Sequence, residues 1–86
     1  MKPTIRIPRT NIERCDLCGI LIEARAEMIS TAAQKAREEK KTAIAVSEAR
    51  MDADRLALQM SKRCMRVNSI HEALEIIKEY VDVEII

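Results

Sequence analysis

Residues 20–67 decide the fold and read ILIEARAEMISTAAQKAREEKKTAIAVSEARMDADRLALQMSKRCMRV. This long run contains no glycine and no proline. Apolar residues recur in it at spacings of three and four, which is typical of one face of a helix. The first such stripe contains Ile22, Ala26, Ile29, Ala33 and Ala36. Six polar residues, 37–42, interrupt the pattern before a second stripe of Val46, Ala49, Ala53, Leu56, Met60, Cys64 and Val67.

Two alanine-rich stripes around a polar break predict an antiparallel helical hairpin that turns near Lys40 and Lys41. One long helix paired with another chain fits less well, because the stripe changes phase at the break. The segment 42–46 also admits a short strand, since Ile44 and Val46 alternate with alanine and short apolar runs fit either structure.

The flanks of the hairpin add a third helix and two short strands. Ser69 and Glu72 form a capping box ahead of an amphipathic segment, and residues 4–8 and 81–86 alternate as strands do. The two strands are expected to pair with each other or across a dimer interface. Thr10 and Glu13 form a second capping box, which predicts a helix from near Asn11 that either ends at Gly19 or continues through it. The predicted fold class is mainly α (α+β), with residues 1–86 as a single domain.

The composition argues against catalysis and against base stacking. Hydrophobic residues make up 48% of the chain, yet Tyr80 is its one aromatic residue, so an aromatic platform for nucleic-acid bases is missing. The single glycine excludes a glycine-rich phosphate loop, and the single histidine has no evident orienting partner in sequence. We therefore expect no enzymatic activity and no cofactor, with bound zinc as the alternative.

The zinc hypothesis concerns Cys15, Cys18, Cys64 and His71. Cys15 and Cys18 have the Cys-x-x-Cys spacing of half a zinc site, and a hairpin that turns near residue 40 would bring Cys64 beside them. His71, at the start of the next helix, would be the fourth ligand. We favour a different interpretation, in which all three cysteines are buried core residues, and a redox-active Cys-x-x-Cys pair is a further alternative.

Charge is unevenly distributed along the chain. Lys2, Arg6, Arg9 and Arg14 make the start basic, whereas residues 68–86 are acidic, although the net charge is only +1. The two ends are expected to attract each other or to lie in solvent. A weak nucleic-acid contact through Arg6, Arg9 and Arg14 is the alternative, but the basic cluster is sparse for such a footprint, so we do not expect a nucleic-acid partner.

These features predict a small protein-interaction or assembly module that self-associates, with a homodimer as the expected form. The core of so short a chain is thin, and Ala-rich helical faces suit close helix packing. Met28 and Met51 lie beside the two stripes, where they would widen an interface. The odd number of cysteines, the absence of a predicted secretion signal and the lack of a long apolar run predict a cytoplasmic location and no membrane contact.

Overall fold

The computed structural model describes residues 2–86 and confirms a mainly helical fold with a small sheet. Its elements, in chain order, are β1 (Thr4–Ile7), α1 (Arg9–Glu13), α2 (Leu17–Glu38), α3 (Ala43–Cys64), α4 (Ile70–Ile77) and β2 (Asp82–Ile85). Helices α2 and α3 form the predicted hairpin, and the other four elements pack around its open end. We call that open end the base and those four elements the head.

The hairpin turns where the polar break predicts. Helix α2 ends with Lys40 in the left-handed region, at φ 56°. The Lys40 and Lys41 amides donate to the Arg37 and Ala36 carbonyls, a Schellman motif that satisfies the last carbonyls of the helix. The Thr42 hydroxyl then accepts a hydrogen bond from the Ala45 amide and caps α3. The alternative strand at 42–46 is therefore wrong, because this cap begins a helix there.

The two ends of the chain pair with each other. β1 and β2 form a two-stranded parallel sheet in which Thr4 lies opposite Asp82 and Ile7 opposite Ile85. The charge asymmetry fits this pairing, since Arg6 forms a 3.2 Å ion pair with Glu84 on the neighbouring strand. The sequence allowed the two strands to pair within the chain or across a dimer interface, and the structure has the pairing within the chain.

The segment between β1 and α2 differs from both predicted alternatives, a helix from near Asn11 that ends at Gly19 and one that continues through Gly19. Helix α1 begins at Arg9 with Pro8 as its N-cap residue and no side-chain cap, so the Thr10–Glu13 capping box does not form. The chain leaves the helix at Cys15, which has φ 53°. Asp16 then caps α2 by accepting a hydrogen bond from the Gly19 amide at 3.0 Å. Gly19 thus lies in the first turn of α2, where it neither ends a helix nor continues the earlier one.

The main core lies between the base of the hairpin and the head. Buried side chains from β1, from α2, α3 and α4, and from the residue before β2 meet in one cluster, which includes Ile5, Ile7, Ile20, Ala24, Ala57, Met60, Cys64, Leu74, Ile77 and Val81. The predicted stripes are partly wrong: Ile22, Ala26 and Leu56 are exposed. The head contacts the face of α2 that carries Ile20 and Ala24, and Ile22 lies about 200° around the helix from Ile20. Within residues 2–86, no helix is long and apolar enough to cross a membrane.

Candidate interaction surface

The four residues of the zinc hypothesis lie in three different settings. Cys15 is exposed in the turn after α1, and Cys18 is exposed in the first turn of α2. Cys64 is buried at the end of α3, and its thiol donates a 3.6 Å hydrogen bond to the Ala73 carbonyl. Burial raises the pKa of the Cys64 thiol. The core interpretation is therefore confirmed for Cys64 and wrong for Cys15 and Cys18.

Cys15 and His71 do line one depression, of about 670 Å³, between the α1–α2 turn and the start of α4. Cys18 and Cys64 are not part of its wall. Among the side chains of residues 2–86, no group of three or more His, Cys, Asp or Glu residues is placed to hold a metal ion. Zinc binding by Cys15, Cys18, Cys64 and His71 stays a prediction that these positions do not support.

The three arginines of the nucleic-acid hypothesis are spread along the head. Arg6 is engaged with Glu84 across the sheet. Arg9 begins α1, and its backbone amide donates to the Ile86 carbonyl at 3.0 Å. Arg14 is exposed at the C-terminal cap of α1. No dense basic cluster arises from these three placements, and nucleic-acid contact through them stays an untested alternative.

The surface that stands out lies on the hairpin, on the side away from the main core. Two depressions of about 410 Å³ each follow the groove between α2 and α3. We call this surface the front and define it by six residues that line the two depressions: Ile22, Arg25 and Ile29 on α2, and Met51, Asp54 and Leu58 on α3.

Large apolar side chains on the front are open to solvent. The exposed fractions are 69% for Ile22, 53% for Met51 and 55% for Leu58, and Ile29 is half-buried. Scattered single apolar residues are normal on a protein surface, but a contiguous patch is typical of a contact site. Ile22 and Leu58 border one depression and Met51 borders the next, so the exposed apolar surface is concentrated along one groove.

An ion pair crosses the middle of the front. The Arg25 Nε donates a 2.6 Å hydrogen bond to Asp54 Oδ1, and both residues border both depressions. This hydrogen bond, with the charge of Asp54, raises the pKa of Arg25. The front thus has an apolar end near the base, a charged centre and a mixed end towards the turn, where Ser47 and Arg50 line the depression with Ile29 and Met51.

No head element covers the part of the hairpin nearest the turn. The main core cluster draws on α2 as far as Met28 and on α3 from Ala57 onward. Beyond it, buried alanines such as Ala33, Ala36 and Ala53 pack the two helices against each other. Near the turn the fold consists of α2 and α3 side by side, and no third element of residues 2–86 covers the faces of this pair. These faces are therefore available to a partner.

Sequence reasoning missed the front because it assigned Ile22 and Ile29 to the core. The signal was present: α2 has apolar residues on two sides, one with Ile20 and Ala24 and the other with Ile22 and Ile29. A helix with two apolar sides packs against two neighbours. Met51, predicted to widen an interface, does lie on the front, whereas Met28 is buried.

Comparison with known proteins gave no match to a family model, a curated protein or a solved structure.

Proposed function

We propose that this chain is a non-enzymatic interaction module that self-associates through the front of its hairpin. The observation that carries the proposal is the exposure of Ile22, Met51 and Leu58 on one groove around a central ion pair. Removing such side chains from water is favourable by roughly 25 cal/mol per Å² of apolar surface buried. A second copy of the chain offers a surface of the same length and the same chemistry.

The hairpin face that carries the front is close in size to what a stable interface requires. Each hairpin helix has 22 residues, which corresponds to a length of about 33 Å. Two neighbouring helices present a face about 20 Å wide, so one copy offers roughly 650 Å² before side-chain relief is counted. Stable specific interfaces bury about 800 Å² on each partner. A face-to-face dimer of hairpins would therefore use most of this helical face, including the front, in a four-helix bundle.

The side chains of the front are more typical of a protein–protein interface than of a catalytic site. An ion pair between apolar groups resembles the polar residues that fix the alignment of helices in bundles. We also propose a cytoplasmic setting, since an odd number of free thiols, with Cys15 and Cys18 exposed, is stable in a reducing compartment.

The test compares two leucine substitutions on the same helix. Leu58 lies on the front, whereas Leu56 is 48% exposed and lines neither depression. Native mass spectrometry and light scattering should give twice the 9.8 kDa chain mass for the unmodified protein. Leu58→Glu should give a monomer at the same concentration, and Leu56→Glu should remain a dimer.

A monomeric unmodified protein throughout the micromolar range would reject self-association. Equal loss of the dimer in both variants, or in Leu56→Glu alone, would reject the front as the contact surface. Circular dichroism of both variants checks that the helices are intact. The same mass spectra, taken without chelator, also report any bound zinc, which would revive the zinc-stabilised alternative.

A further inference from the structure

We propose that the two copies pack face to face with their bases at the same end, an arrangement that we call base to base. In it, α2 of each hairpin lies against α3 of the other, and Arg25 of each lies against Asp54 of the second copy. This inference rests on the proposed function and specifies its geometry. It follows from the order of apolar and charged residues along the front and from the symmetry of a dimer.

The front consists of three successive levels along the hairpin. Ile22 and Leu58 line the depression nearest the base, Arg25 and Asp54 form the central ion pair, and Ile29 lines the other depression with Met51. Each level has one residue from α2 and one from α3. The central level is positive on α2 and negative on α3.

A symmetric face-to-face dimer has its two-fold axis in the plane of the interface. If the axis runs along the hairpin, the bases lie together and α2 of each copy faces α3 of the other. If the axis runs across the hairpin, each base lies against the other turn, and α2 faces α2 while α3 faces α3. These two arrangements bury similar areas but bring different residues together.

The central ion pair distinguishes the two arrangements. Base to base, each Arg25 faces Asp54 of the second copy, so four charges alternate in sign across the interface. Base to turn, Arg25 faces Arg25 and Asp54 faces Asp54, and like charges are brought together as water leaves. Juxtaposed like charges suppress an arrangement in a buried interface. Charge complementarity therefore favours base-to-base packing.

The apolar levels are compatible with base-to-base packing. Ile22 would lie against Leu58 of the second copy, and Ile29 against Met51 of the second copy. The same residue types that flank the groove in one chain would then meet across the interface. The head packs on the face of α2 that carries Ile20, about 200° around the helix from Ile22, so the two heads would lie on the outer sides of the dimer.

Disulfide cross-linking between two differently marked chains tests the geometry. Both chains carry Cys15→Ser and Cys18→Ser, and the buried Cys64 is kept. One chain carries Ile22→Cys and the other Leu58→Cys, so that no disulfide between these positions can form within a chain. Mild oxidation of the mixture should link position 22 to position 58 as the main product. A second mixture, of Ile22→Cys with Ile29→Cys, should give little product.

Efficient linkage in the second mixture and not in the first would overturn the inference in favour of base-to-turn packing. A dimer that gives neither product would also overturn it, since the contact would then lie elsewhere. An unmodified protein that is monomeric would reject the proposed function itself, so the two failures are distinguishable.

Charge reversal provides an independent measurement. Arg25→Glu should weaken the dimer about tenfold or more, and the double variant Arg25→Glu/Asp54→Lys should restore the affinity to within about threefold. The matched control is Arg6→Glu, which breaks the exposed Arg6–Glu84 ion pair of the two-stranded sheet, since neither residue lines a depression of the front. That control should leave the dimer affinity unchanged. A tenfold loss in the control, or no loss with Arg25→Glu, would contradict a role for the central ion pair in the interface.

Discussion

Arg63, in the last turn of α3, donates hydrogen bonds from both guanidinium arms to the Glu79 carboxylate, at 3.0 and 2.9 Å. The same guanidinium donates to the Tyr80 hydroxyl at 3.0 Å. These contacts fasten the end of the hairpin to the segment between α4 and β2. The hydrogen bond from Arg63 is the main reason why the pKa of Glu79 lies below its ordinary value of 4.5.

This lowered pKa predicts a pH dependence of stability. Glu79 is ionised at a lower pH in the folded chain than in the unfolded chain, so its contribution is present above pH 4.5 and is lost as the pH falls through the lower, folded pKa. Arg63→Met should return the Glu79 pKa towards 4.5, measured by NMR titration of its carboxyl carbon. Arg55→Met is the control. An unchanged Glu79 midpoint in Arg63→Met would contradict the assignment.

Replacing Lys40 by glycine should stabilise the hairpin. Lys40 occupies the left-handed position of a Schellman motif, at φ 56°, where a side chain costs roughly 1 kcal/mol and glycine is unstrained. The greater freedom of glycine in the unfolded chain offsets part of the gain. We expect a net increase of about 0.5 kcal/mol, or a few degrees in Tm. Lys41→Gly has no such strain to relieve and should not stabilise; equal gains in both variants would contradict the argument.

The three cysteines should differ sharply in reactivity. Cys15 and Cys18 are exposed, whereas Cys64 is buried and has a raised thiol pKa, so its reactive thiolate is scarce and shielded. Iodoacetamide should modify two thiols in the native protein and the third only after denaturation. Mass spectrometry of Leu58→Glu makes this measurement without shielding by self-association. Modification of Cys64 at the rate of the other two would show that its burial is wrong.

Enlarging Ala57 should destabilise the protein. Its side chain has no exposed surface and belongs to the main core cluster, so extra methylene groups displace well-packed neighbours. Ala57→Leu is expected to cost about 1–3 kcal/mol in chemical denaturation. Ala26→Leu, on the exposed side of α2, is the matched control and should cost far less. Comparable losses at the two positions would contradict the proposed packing.

Local signals explain which parts of the fold were predictable. The polar break at residues 37–42 and the Ser69 cap are confirmed, with the Ser69 hydroxyl accepting from the Glu72 amide at 3.2 Å. Each depends on neighbours within a few residues. The start of α2 was missed because Asp16 serves as its N-cap directly after α1 ends, and two helix ends that share so short a segment resemble one continuous helix.

The sequence by itself determined most elements of this protein, namely two long alanine-rich helices, a third amphipathic helix and two alternating strands, because hydrophobic period and capping are local properties of the chain. It did not determine the separation of α1 from α2. The tertiary structure alone decided which side of α2 is buried, since both sides are apolar and the choice depends on where β1 and α4 pack. It also decided the pairing of the two ends and left Ile22 and Leu58 beside an ion pair on the outside. Those contacts join residues that are far apart in sequence, and spacing within one helix carries no information about them.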